Sequence, residues 1–109
     1  MAMSESFGQV LGAARRRAGL SQRELAARIL KEDGEPISPQ YLNDLERDRR
    51  NPPARHFLRQ FATALELPEE YLDFVAGQLP EDLRAGSYAP DQVQAAFHAF
   101  RRTLRGSSS

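Results

Sequence analysis

Residues 20–53 read LSQRELAARILKEDGEPISPQYLNDLERDRRNPP and contain two helix starts. Ser21 stands three residues before Glu24 and just ahead of an apolar stripe of Leu25, Ala26 and Ile29. A serine hydroxyl that accepts from the third helical N–H, answered by a glutamate that accepts from the serine N–H, is a capping box, and it predicts a helix from Gln22. Ser38 followed by Pro39 marks the second start, because proline at the first helical position gives up an N–H that has no partner there and already holds the helical φ. Leu42 and Leu45 then point inward at helical spacing, while Gln40, Tyr41, Asn43 and Asp44 take other faces. A short helix with apolar anchors and a polar outer side can enter the major groove of a duplex, and an arginine cluster, Arg47, Arg49 and Arg50, follows it.

On the N-terminal side, residues 4–18 predict a first helix in which Phe7, Val10, Leu11 and Ala14 recur every three or four positions, with Gly19 as its stop. Arg15, Arg16 and Arg17 fall near its end, where they read as solvated charges offsetting the helix dipole, with a DNA contact as the other reading. Gly34 is expected to end an extended second helix, leaving an acidic tip in residues 30–36 (LKEDGEP). On the C-terminal side, Asn51 is expected to cap the fourth helix with Pro52 at its first position. That helix runs over residues 53–65 on a stripe of Phe57, Leu58, Phe61, Ala62 and Leu65. A fifth helix starts at Pro68, carries Glu69 and Glu70 in its first turn, and buries Tyr71, Leu72 and Val75 before Gly77. No stretch alternates with period two over a strand's length, so the fold class is all-α.

After Gly77 the segment QLPEDLRAGSYAP has little periodicity, and residues 78–89 read as a linker. Pro90 opens a sixth helix over residues 90–105, in which Val93, Ala96, Phe97, Phe100 and Leu104 share a face; residues 106–109 read as a disordered tail. The apolar face of that helix either packs back on its own domain or meets a second copy.

At 109 residues the chain supports one domain with a modest core. It holds no cysteine, which excludes disulfides and thiolate metal sites, and neither an apolar run of membrane-spanning length nor a signal-peptide pattern, which points to the cytoplasm. The two histidines, His56 and His98, sit apart on different helices as surface residues without ligand-type neighbours, so neither a metal centre, a cofactor nor catalysis is expected. The net charge is zero, yet it is unevenly spread. Residues 1–31 hold six basic and two acidic side chains, residues 32–48 one basic and six acidic, and residues 68–82 only acidic ones. Local fields rather than the total steer a polyanion, so neutrality predicts weak non-specific binding without excluding specific binding.

Several of these segments together resemble the XRE/Cro family of phage-repressor-type domains: LSQRELA at residues 20–26, SPQYLNDLER at 38–47, RRNP at 49–52, FATALEL at 61–67 and EEYL at 69–72. The resemblance implies a five-helix repressor-like bundle with a helix-turn-helix over residues 1–77, plus the sixth helix. It implies a sequence-specific double-stranded DNA-binding regulator, a repressor, bound to a palindromic operator. For the apolar face of the sixth helix, a homodimer contact through Val93, Phe97, Phe100 and Leu104 is favoured over packing on its own domain, because two-fold symmetry adds affinity and sets half-site spacing. By the same resemblance Gln22, with Arg23 beside it, bonds a phosphate at the N-terminus of the second helix. Ser38, Pro39, Gln40, Tyr41, Asn43 and Asp44 lie in the early part of the third helix, the part that meets base edges. Gln40 and Asn43 suit adenine, Asp44 suits cytosine N4 or else an ion pair with Arg47 or Arg49, and Pro39 suits a thymine methyl. Tyr41 either bonds a phosphate or packs on the loop. Arg47, Arg49, Arg50 and Asn51 lie along the phosphates, and Glu46 holds an arginine inside the protein. The connection between the second and third helices is longer than the family's. A protein-interaction module or antitoxin-type adaptor on the same scaffold, using the acidic tip and the Phe97/Phe100 helix, is the alternative.

Overall fold

The computed structural model describes residues 5–79 and 81–106. Ser4 and the last three residues of the expected tail lie outside the described residues. Seven helices appear among the described residues: α1 (Phe7–Arg17), α2 (Gln22–Ala26), α3 (Pro39–Glu46), α4 (Arg55–Leu65), α5 (Glu69–Val75), α6 (Glu81–Arg84) and α7 (Pro90–Gly106). The first five close on one core in which Leu11, Leu25, Ile29, Leu42, Leu45, Leu58, Phe61 and Leu72 are wholly removed from solvent. α6 is a single turn inside the segment read as a linker.

Caps decide where α1, α2 and α3 begin. Ser6 caps α1 through a second capping box, its hydroxyl accepting from the Gln9 N–H at 3.1 Å while Gln9 Oε1 accepts from the Ser6 N–H at 2.8 Å. The helix accordingly starts at Phe7, later than the expected residue 4. Ser21 and Glu24 form the predicted box on α2, and Ser38 caps α3 with Pro39 at its first position. Accepting from the Ser21 N–H, and then from the Ser21 hydroxyl, holds the Glu24 carboxyl below the usual carboxylate range. That contribution is present above the ordinary carboxylate pKa and fades as the pH falls through the lowered value.

Two expected boundaries and one expected set of buried residues are corrected. α2 does not extend toward Gly34: it ends at Ala26, and the Arg28 and Ile29 N–H groups bond back three residues to Leu25 and Ala26. Residues 30–36 instead make a tight hairpin with a single antiparallel bridge between Leu30 and Pro36. Gly34 supplies the φ of +87° that the turn requires, and its N–H donates to Lys31 O at 2.9 Å. Gln60 of α4 pins this hairpin. Its Oε1 accepts from the Leu30 N–H at 2.7 Å and its Nε2 donates to Leu30 O at 2.9 Å, so one side-chain amide satisfies both backbone groups as a paired strand would. The fourth helix starts at Arg55 rather than residue 53, with Ala54 as an N-cap that offers no side-chain bond. Pro52 and Pro53 each push the residue before them toward extended backbone, which keeps the chain out of the helix until both are passed. On α5, Leu72 is buried as expected, whereas Tyr71 is 42 % exposed and Val75 only half-buried.

Two connections lock α1 against α3. At the first, Gly8 passes so close to the end of α3 that a Cβ would lie 2.5 Å from Leu45 O and 2.6 Å from Glu46 O. Asp48, in left-handed backbone at φ +59°, turns its carboxylate onto the start of α1, accepting from Ser6 Oγ at 2.5 Å and from the Gly8 N–H at 2.9 Å. At the second, Arg15 grips Glu46 with two parallel bonds, Nε to Oε2 at 2.6 Å and Nη2 to Oε1 at 3.0 Å, and donates from Nη1 to Leu20 O at 3.0 Å. The side chains keep only 13 % and 7 % of their exposure. This corrects the solvated reading for Arg15, though Arg16 and Arg17 are exposed. The paired hydrogen bond to Glu46 raises the Arg15 pKa above its already high ordinary value. Glu46 holds an arginine as expected.

A matching pair ties α4 to α5. Arg55 Nη1 donates to both oxygens of the buried Asp73 at 3.0 Å, and Nη2 donates to Leu79 O. His56, expected at the surface, is half-buried beside Phe57 with ring centroids 4.0 Å apart, and its Nε2 is buried with no hydrogen-bond partner. α7 lies outside this core: none of its residues is buried, and Phe100 meets Phe74 of α5 edge to face at 6.0 Å.

Gly8→Ala is expected to lower stability by about 1–3 kcal/mol, since backbone oxygens at 2.5–2.6 Å cannot yield without moving α1 off α3. In a thermal melt that is a drop of about 4–8 °C for each kcal/mol, and an unchanged midpoint would refute the close approach. Arg15→Ala strands Glu46 and should cost about 3 kcal/mol in urea unfolding, whereas Arg16→Ala should stay within about 0.5 kcal/mol of the parent.

Candidate nucleic-acid interface

α3 is eight residues long, and its orientation follows from Leu42 and Leu45, both fully buried. At about 100° per residue, the direction opposite those two leucines carries Gln40 and the adjoining Arg47, with Asn43 and Asp44 on either side. Pro39, Gln40 and Arg47 are exposed; Asn43 and Asp44 are half-buried. The capping Ser38 is exposed and accepts from the Tyr41 N–H at 3.0 Å.

The start of α2 abuts this helix through Gln22. Its Nε2 donates to Glu46 Oε1 at 3.1 Å and to Asn43 Oδ1 at 3.2 Å. Both amide hydrogens are therefore turned inward, and the phosphate contact implied by resemblance has no side-chain donor at Gln22 in this arrangement. Arg23, its neighbour, is exposed. The Arg15–Glu46 pair thus braces α1, α2 and α3 at one point, a role the run of three arginines did not disclose. The signal was present: an arginine on the inward side of the first helix and a glutamate one turn after Leu42.

On the outer side, Gln40 Nε2 donates to Asp44 Oδ1 at 3.0 Å, one helical turn on. Asp44 Oδ1 also lies 3.8 Å from Arg49 Nη1, whose side chain remains 60 % exposed. Of the two readings of Asp44, the ion pair with Arg49 is the one formed here. Tyr41 packs on the loop: the Arg50 guanidinium carbon lies 5.5 Å from its ring centroid, and Phe57 lies 6.5 Å away on α4. Asn51 is exposed and caps nothing. The segment after α3 consequently presents Arg47, Arg49, Arg50 and Asn51 to solvent in a loop whose backbone is held by Asp48 and by the Arg49 N–H bond to Asp44 O at 2.8 Å.

Among the described residues, no group of three or more histidine, aspartate or glutamate side chains gathers as a metal site. Nor, among those residues, is any helix long and apolar enough to cross a membrane.

A family model described as a helix-turn-helix domain matches residues 6–74, which takes in α1 through most of α5. Among solved structures, a chain of the SinR protein/SinI protein complex has a similar fold, with a TM-score of 0.51 and 23 % sequence identity over 94 % of this chain and 94 % of that one. Curated proteins yield no significant match. With more than half of its length in the family model, and with α2 and α3 set against each other by Gln22 and Glu46, the chain belongs to the helix-turn-helix domain family of DNA-binding regulators.

Proposed function

We propose that this protein is a cytoplasmic, sequence-specific transcriptional repressor that lays α3 in the major groove of a palindromic operator and binds as a homodimer. The observation that carries the reading is the two-sided character of α3: Leu42 and Leu45 are sealed in the core while Pro39, Gln40 and Arg47 stand in solvent. A helix built that way is rigid from behind and unobstructed in front, as a base-reading rod must be. Arg47, Arg49 and Arg50, with Asn51, supply donors to the phosphates on leaving the groove, and Arg23 does so beside α2.

The homodimer reading rests on α7. Val93, Phe97, Phe100 and Leu104 share one face of that helix, and each is at least 40 % exposed. Two copies joined there would double the contacts and set the spacing between half-sites. The same exposed row favours a second reading, a protein partner in place of a second copy. The similar solved structure is itself a complex of two differently named proteins, SinR and SinI, which supports that reading.

Gln40→Ala is expected to relax base choice at one position by about 1–3 kcal/mol. Arg49→Ala should weaken all duplexes alike and reduce the slope of log affinity against log salt by about one. Titrations at several salt concentrations separate the two, and no effect from either variant would remove both assignments. Phe97→Asp with Phe100→Asp should turn a dimer into a monomer in sedimentation equilibrium. A parent chain that already sediments as a monomer would exclude the homodimer.

A further inference from the structure

Glu46, ionised against Arg15, can only accept hydrogen bonds. The end of the Gln22 amide that faces it must therefore be the nitrogen, because the carbonyl end would set oxygen against oxygen. The other hydrogen of that nitrogen goes to Asn43, so the atom Asn43 turns toward Gln22 must be its oxygen. Reversing Asn43 would point two N–H groups at each other. From Glu46 through Gln22 to Asn43 the order runs acceptor, donor, acceptor, and the end of Asn43 left for the outside is its NH2. Gln40 follows the same logic in the opposite sense. Asp44 accepts from its nitrogen, which leaves the Gln40 carbonyl as the end not bound to Asp44.

The geometry points to Gln22 as a specificity-determining positioning residue: by holding the Asn43 carbonyl inward, it makes Asn43 a hydrogen-bond donor toward the bases and selects guanine at that step of the half-site. Guanine offers two acceptors, O6 and N7, on its major-groove edge, whereas the paired recognition of adenine by an amide needs oxygen and nitrogen together. This inference rests on the DNA-binding reading above. It revises the adenine preference expected for Asn43 from its residue type, because a carboxylate on the same helix, seen only in the fold, sets the polarity of the amide.

The test is selection of randomised duplexes on the full chain and on Asn43→Ala, Gln22→Ala and Gln22→Lys, with thermal melts alongside. Asn43→Ala identifies the position by flattening its preference. The parent should select guanine there, and replacing that guanine by 7-deazaguanine, which lacks N7, should weaken the parent but not Asn43→Ala. Gln22→Ala should admit adenine and narrow the guanine-to-adenine ratio about tenfold. Gln22→Lys, which also can only donate to Asn43 and Glu46, should keep guanine. A merely structural role would weaken all sequences together and leave the ratio alone. Should Gln22→Ala fail to melt cooperatively, the 7-deazaguanine arm on the parent decides. Any other base at that position, an Asn43→Ala variant that flattens none, or an unchanged ratio in folded Gln22→Ala overturns the inference and leaves DNA binding standing. A parent chain that enriches no sequence overturns both.

Discussion

The Arg15–Glu46 ion pair is the constraint on which the arrangement of the first three helices depends. Removing two charges from water costs several kcal/mol each, and the cost is offset only where the remaining hydrogen-bonding capacity is filled. Here it is filled from two further sides: Arg15 also bonds Leu20 O, at the turn between α1 and α2, and Glu46 also accepts from Gln22, the first residue of α2. One carboxylate on α3 therefore ties both of the other helices to it. Rolling α3 by one residue, about 100°, would strip Glu46 of its partners and bring Leu42 and Leu45 toward water, so the outward direction of Gln40 is set by the same contacts that hold the core.

Gly8 and Asp48 act at the other end of the same contact. Asp48 takes the uncommon left-handed backbone and offsets it with two hydrogen bonds to the start of α1. The loop that carries Arg47, Arg49 and Arg50 is consequently anchored at its middle residue to the N-terminus of α1. If this loop lies along phosphates as proposed, such an anchor favours binding, because less conformational freedom is left to lose.

What was legible in the sequence was what local chemistry decides. Ser21 with Glu24, and Ser38 with Pro39, announce α2 and α3 through bonds made within four residues, and the leucine spacing gives the buried side of α3. What was not legible depends on partners far along the chain. Residues 30–36 form a hairpin rather than helix because Gln60, thirty positions away, satisfies both backbone groups of Leu30. Nothing near residue 30 encodes that. Arg15 looks in sequence like one of three equivalent surface arginines because its partner lies thirty-one positions on. Gln22 likewise looks outward-facing because the acceptors that turn it inward, Asn43 and Glu46, belong to another helix. The start of α4 departs from expectation for a different reason: either of two consecutive prolines suits a first helical position, but each also holds the residue before it in extended backbone, and the second effect prevails.

The zero net charge also looks different once pairing is taken into account. Arg15 and Arg55 are drawn into ion pairs with Glu46 and Asp73, so part of the basic content balances acid inside the fold. Arg23, Arg47, Arg49 and Arg50 stay exposed on α2 and after α3, Arg49 while paired with Asp44. The acidic Glu32, Asp33 and Glu35 are gathered at the hairpin, between those two elements in sequence and outside the α2–α3 contact that Gln22 makes. A polyanion approaching this surface meets cations carried on α2 and on the loop that follows α3. Under the proposed function, a fixed, oriented set of amides beside a few exposed cations would shift the balance of binding from charge toward base recognition, which is the balance a protein of zero net charge needs if it is to distinguish one sequence from many.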